Sequence, residues 1–154
     1  MADELDEILS QVDQKLKADK ALAEAEQRKG LEQERRKEAT ERAFTGNQMV
    51  FRAAIRDINE RMKDRDYGFD EPRISPNPDI LLVGDYCVRL SLGDAFSQDP
   101  VDLHISFLRL GGAEVYIERA GKKSRKDPYE PHDIDRHFFD KQLMLALRRL
   151  TYGG

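Results

Sequence analysis

The chain lacks most of what would staple, break or anchor a fold. Cys87 is one cysteine in 154 residues, which excludes an intramolecular disulfide. No apolar run approaches the roughly 18 residues that span a bilayer, and no apolar leader opens the sequence, so a reducing cytoplasm without membrane attachment is the expected setting. Residues 3–43 contain no proline and a single glycine, Gly30, so the strongest helix breakers are nearly missing there. Gly111-Gly112 has no helix after it, so the chain has no phosphate loop. Ser106 and Cys87 fall in mid-strand patterns rather than on a sharp turn, where activated nucleophiles sit. No catalytic residue, metal or cofactor is expected on these grounds.

What the chain does have is charge. Charged residues make up 36% of it against 39% apolar, with a net charge of −4. Residues 1–26 carry 3 basic and 8 acidic groups, and residues 67–118 carry 3 basic and 9 acidic. Residues 119–154 reverse this, with 9 basic and 5 acidic. A dedicated DNA binder would show one dominant basic face, which this alternation does not supply.

Residues 1–44 read as one charged helical arm, rich in Ala, Glu, Lys, Gln and Arg. Leu5, Ile8, Val12 and Leu16 recur at spacings of three and four and form one narrow apolar stripe. Beyond Leu22 the stripe fades largely to alanine. A helix this polar gains little from burial, which points to a coiled coil, a solvated arm, or a segment that folds onto a partner.

Residues 45–154 read as a compact domain. Thr45 and Gln48 have the spacing of a capping box, predicting a helix from about residue 46 to 65 with Phe51, Ile55, Ile58 and Met62 inward. Residues 67–79, with Gly68, Pro72, Pro76 and Pro78, read as a loop. Two strands, 80–83 and 86–92, would flank a Gly84-Asp85 turn, and residues 93–100 would be a second loop. Residues 101–119 alternate on both sides of Gly111-Gly112, the pattern of a β-hairpin. A basic loop follows. Then comes a helix capped by Asp133 or Asp135, with Ile134, Phe138, Phe139, Leu143, Leu147 and Leu150 on its apolar face. The expected fold is α+β: a long N-terminal helical arm, then a four-stranded antiparallel meander packed on one face by two helices, in the order α-β-β-β-β-α.

Turn length decides which hairpin residues share a face. A two-residue turn would put the two apolar rows on opposite sides. A three-residue loop, Leu110 to Gly112, pairs Phe107 with Val115 and Ile105 with Ile117, giving one apolar face and a left-handed Gly112. The outer face then carries a row Arg89–His104–Glu118, with Leu82, Leu108 and Tyr116 beside it.

Three sets of side chains merit weighing. His104 between Arg89 and Glu118 has the composition of a general base held by a carboxylate, but a cross-strand polar ladder is the simpler account. Asp133, His137 and Asp140, with His132 nearby, hold metal-type ligands at helical spacing yet match no strong metal signature, and capping explains the acidic residues. Lys122, Lys123 and Arg125, with Arg148 and Arg149, would grip phosphates, although one aromatic nearby, Tyr129, makes a thin stacking platform.

The sequence therefore points to a non-enzymatic adaptor or scaffold. Its arm, through Leu5, Ile8, Val12 and Leu16, would bind a protein partner or a second copy, making a homodimer. Leu82, Leu108 and Tyr116 on the sheet would add a docking surface. A nucleic-acid accessory protein acting through residues 119–126 and the last helix is the second reading. A small hydrolase or metal enzyme at His104 or His132/His137 is the third.

Overall fold

The structure, a computed structural model, describes residues 2–93 and 98–151. The expected loop at 93–100 lies in part outside them. The fold is mixed helix and sheet, with an antiparallel sheet and helices α1 (Ala2–Gly46), α2 (Gln48–Arg61) and α3 (Arg136–Thr151). The chain divides into two compact units, Met1–Arg35 and Arg36–Gly154.

The first unit is α1 up to Arg35. From residue 3 to 35 every side chain is exposed except the half-buried Ala25. Helix propensity and the missing breakers account for the conformation, and no tertiary packing supports it within the unit.

The second unit begins inside α1. Thr40, Ala43 and Phe44 share one helix face and are all buried. The sequence stripe hid this surface because two of its three residues are small. Helix α1 runs through Thr45 to Gly46, so the expected capping box at Thr45 does not form. Asn47 makes the break instead: it leaves helical geometry at φ −104° and ψ 3°, and its side-chain amide donates back to the Ala43 carbonyl. Helix α2 then buries Phe51, Ala54 and Ile55 and stops at Arg61, one turn before the expected end.

Among the described residues the sheet has seven strands, not four: β1 (Tyr67–Phe69), β2 (Arg73–Pro76), β3 (Leu82–Leu92), β4 (Val101–Leu108), β5 (Ala113–Arg119), β6 (Lys122–Lys123) and β7 (Asp127–Tyr129). The long strands β3, β4 and β5 form an antiparallel centre; β1 and β2 share the free edge of β3, and β6 and β7 share that of β5. The expected turn at Gly84-Asp85 is absent, because β3 runs straight through it with an irregularity between Leu82 and Gly84. Pro76 reads as a loop signal, yet β2 is an edge strand that bonds on one side only and tolerates it, while Pro72 lies just before the strand. Asn59 of α2 also pins β1 by accepting from the Phe69 N–H and donating to its carbonyl, at 2.9 and 2.8 Å.

The hairpin loop has three residues, as expected, but they are Arg109, Leu110 and Gly111. The Gly111 N–H donates to the Leu108 carbonyl and the Leu108 N–H to the Gly112 carbonyl. Phe107 therefore faces Ala113 and Ile105 faces Val115, two residues from the expected partners. Gly111 and Gly112 both take positive φ, 107° and 87°, with the Arg36 side chain against them.

Tyr86, Val88, Leu90, Val101, Leu103, Ile105 and Phe107 fill the inner face and are almost wholly buried. Tyr86 sits within contact distance of Phe44, Phe51, Phe107 and Phe139, with ring centroids 4.7–6.2 Å apart. Its hydroxyl donates to the Phe44 carbonyl. The end of α1, α2 and α3 thus cover one face of the sheet and leave the other open. Two side chains fix the end of α1: the Thr40 hydroxyl accepts the Gly112 N–H of the hairpin at 2.8 Å, and Arg36 pairs with Glu130, just after β7, through two 2.9 Å bonds.

Candidate functional site

The open face of the sheet is built from the outward positions of β3, β4 and β5. Both central registers are shifted by two residues from the expected ones, so the expected row Arg89–His104–Glu118 does not form. Two rows replace it: Arg89–Asp102–Glu118 and Cys87–His104–Tyr116. Arg89 is drawn to Asp102 through bidentate bonds of 2.8 and 3.0 Å, not to His104. The hydrogen-bonded guanidinium holds the Asp102 carboxyl below its usual range.

His104 is the centre of the face. Its Nδ1 lies 3.7 Å from the Asp85 carboxylate and its Nε2 lies 3.5 Å from that of Glu118, one register step away. The Cys87 sulfur is 3.8 Å from Nε2, and the Arg73 guanidinium donates to that sulfur at 3.6 Å. The Tyr116 ring stacks on the imidazole, 4.6 Å between centroids and 7° from parallel. Burial disfavours the charged ring, but the Asp85 carboxylate and the Cys87 sulfur outweigh it and lift its pKa from 6.5 to about 10. His104 is therefore an imidazolium at neutral pH.

Thiol, imidazole and carboxylate stand in sequence here, by type the order of a nucleophile, base and orienting group. Both contacts are longer than the 2.6–3.2 Å or so of a formed relay, and Cys87 is buried within β3. The Ser106 hydroxyl donates a hydrogen bond to the Asp85 carboxylate at 2.9 Å. These side chains contact one another across β3, β4 and β5.

Asp85 was absent from the expected site because of the false turn at Gly84, Arg73 because residues 67–79 read as a loop, and Cys87 because the expected register set Arg89 opposite His104. The alternation Asp85, Cys87, Arg89 against Tyr86, Val88, Leu90 was the signal that a single strand crosses this region.

The other candidates fall elsewhere. Leu82 and Leu108 face each other, half-buried, near the exposed Ile80, Leu81 and Leu110. Tyr116 lies apart from them at the polar centre, where Lys123 and Lys126 reach over its ring at 5.4 and 5.5 Å. The expected basic loop is a hairpin in which Lys122 and Lys123 form β6 and Ala120-Gly121 make the turn, both with positive φ. Arg125 is drawn onto Asp127 at 3.2 Å. Asp135 caps α3 by accepting the Phe138 N–H at 2.8 Å, and Asp133 closes a capping box with Glu130 on the preceding 3₁₀ turn. Among the described residues no three His, Cys, Asp or Glu side chains are placed to hold a metal ion.

Leu5, Ile8, Val12 and Leu16 lie on α1 in the first unit, all exposed, with Leu9 completing the stripe. Among the described residues no helix is long and apolar enough to cross a membrane. No protein-family model matches this chain, and neither a curated protein nor a solved structure was found to be similar to it.

Proposed function

We propose that this protein is a non-enzymatic adaptor or scaffold that binds a protein partner or a second copy of itself through the N-terminal part of α1. The open face of the sheet serves as a secondary surface. One observation carries the reading: Leu5, Ile8, Leu9, Val12 and Leu16 are 56, 50, 50, 46 and 61% exposed on a helix that buries nothing between residues 3 and 35. Positions i, i+3, i+4, i+7 and i+11 make a single stripe, the pattern by which an amphipathic helix enters a groove or pairs with another helix. An isolated helix of this polarity is marginal in water, so a partner that covers the stripe also stabilises the helix.

Sedimentation equilibrium and a capture experiment with the full chain test the reading, each run beside an Ile8→Asp/Val12→Asp variant. The wild type is expected to dimerise, or to retain a protein that the variant releases. A wild-type chain that stays monomeric and retains the same proteins as the variant would overturn the proposal.

A further inference from the structure

A cavity of about 640 Å³ opens in the second unit between the C-terminal ends of α2 and α3. Its apolar lining includes Ile58 and Met62 from the α2 side, Leu147 and Leu150 from α3, and Tyr67 and Leu92 from β1 and β3. Three arginines, Arg61, Arg65 and Arg148, also line it, and among the described residues no aspartate or glutamate does. That is a local reversal in a protein with 30 acidic and 26 basic side chains.

These arginines differ from others on the same unit. Arg36 is held by Glu130, Arg89 by Asp102, Arg109 by the Ile80 and Leu82 carbonyls, and Arg136 by Asp57 and Asp140. Among the described residues the guanidinium groups of Arg61, Arg65 and Arg148 have no ion-pair or hydrogen-bond partner. Arg61 and Arg148 stand in the last turns of their helices, where a cation complements the helix dipole. Arg65 lies beyond the end of α2 and has no such role, and the dipole does not explain why all three line one apolar cavity.

We propose that this cavity binds an anionic amphiphile, a carboxylate carried on an apolar chain. The chain would lie on Ile58, Met62, Leu147 and Leu150. The carboxylate would meet the guanidinium groups, whose planar donors match it in bidentate geometry. The volume falls within the range of about 300–1,000 Å³ typical of small-molecule sites. The proposal is independent of the arm, because every residue it uses belongs to the second unit.

Isothermal titration of the full chain with decanoate tests it, with decanol and decyltrimethylammonium as neutral and cationic probes of the same chain length. Decanoate is expected to bind at one site and at least tenfold more tightly than decanol, with no saturable binding of the cation. An Arg61→Gln/Arg65→Gln/Arg148→Gln variant, which changes exposed side chains only, should keep the wild-type melting curve and lose at least tenfold in decanoate affinity. In the wild type the methyl resonances of Met62 and Met144 should shift on saturation, which locates the ligand. Absence of saturable decanoate binding, equal affinity for decanol, or undiminished binding by the triple variant would overturn the proposal.

Discussion

Gly84 offers the sharpest test of how the end of α1 is seated. A Cβ built on Gly84 would lie 2.0, 2.2 and 2.5 Å from three atoms of the Phe44 ring, where real contacts stay beyond about 3 Å. The ring cannot easily retreat: Phe44 is buried against Tyr86 and Phe107, and its own carbonyl accepts the Tyr86 hydroxyl. On backbone grounds alone Gly84→Ala should stabilise a strand interior by about 0.5–1 kcal/mol. Overpacking should cost about 1–3 kcal/mol or more, so the sign of the measured effect reports on the contact. We expect a net loss of about 2 kcal/mol, a fall of roughly 8 °C in Tm for a domain of this size. Phe44→Ala should itself cost about 3–5 kcal/mol through the cavity it leaves. In that background the clash is gone, and Gly84→Ala should become neutral or mildly stabilising. Urea denaturation of the four chains gives the coupling directly, and we expect it to reach about 2 kcal/mol. Wild-type stability for Gly84→Ala, or the same loss in both backgrounds, would refute the seating of Phe44 on β3.

Two further outcomes follow from single side chains. Thr40→Val keeps the shape but removes the acceptor of the buried Gly112 N–H; it should cost about 1–3 kcal/mol and speed hydrogen exchange at Gly112, while Thr40→Ser keeps the bond and should restore slow exchange there. His104 has its pKa raised from 6.5 to about 10 in the fold, so its contribution is complete below about pH 6.5 and is lost as pH climbs through 10. Between pH 7 and 9 that corresponds to about 1 kcal/mol per pH unit, and melting curves of wild type and His104→Gln should converge as pH rises; parallel curves would show that the ring is not charged in the native state.

The core was legible because its signals are local and periodic. Phe51 and Ile55 of α2, Phe138, Phe139 and Leu143 of α3, and Phe107, Ile105 and Val115 of the hairpin all face inward as their spacing requires. Both central registers are two residues from expectation, and this error leaves the faces intact, because side chains alternate with a period of two. The site was less forgiving. A shift that preserves the face still changes every neighbour, which is why Arg89 meets Asp102 and His104 meets Cys87. The short edge strands β1 and β2 were not legible at all. Their pairing is dictated by the free edge of β3, a tertiary fact, while Pro72 and Pro76 give them the local composition of a loop.

Energetics separate the proposed recognition surfaces. At the centre of the open sheet face, Asp85, His104, Glu118, Arg89 and Asp102 already partner one another. A protein docking there must desolvate charges that gain nothing from it, and breaking one partner leaves the other uncompensated. The stripe from Leu5 to Leu16 carries no such cost: its groups are apolar, exposed and bonded to nothing across the helix surface. Covering them removes hydrocarbon from water and leaves the flanking acidic side chains free to choose among partners by charge. Recognition in the proposed scaffold therefore begins on the arm. On the sheet it is confined to the apolar end, around Leu82, Leu108 and Leu110, where no ion pair has to be given up.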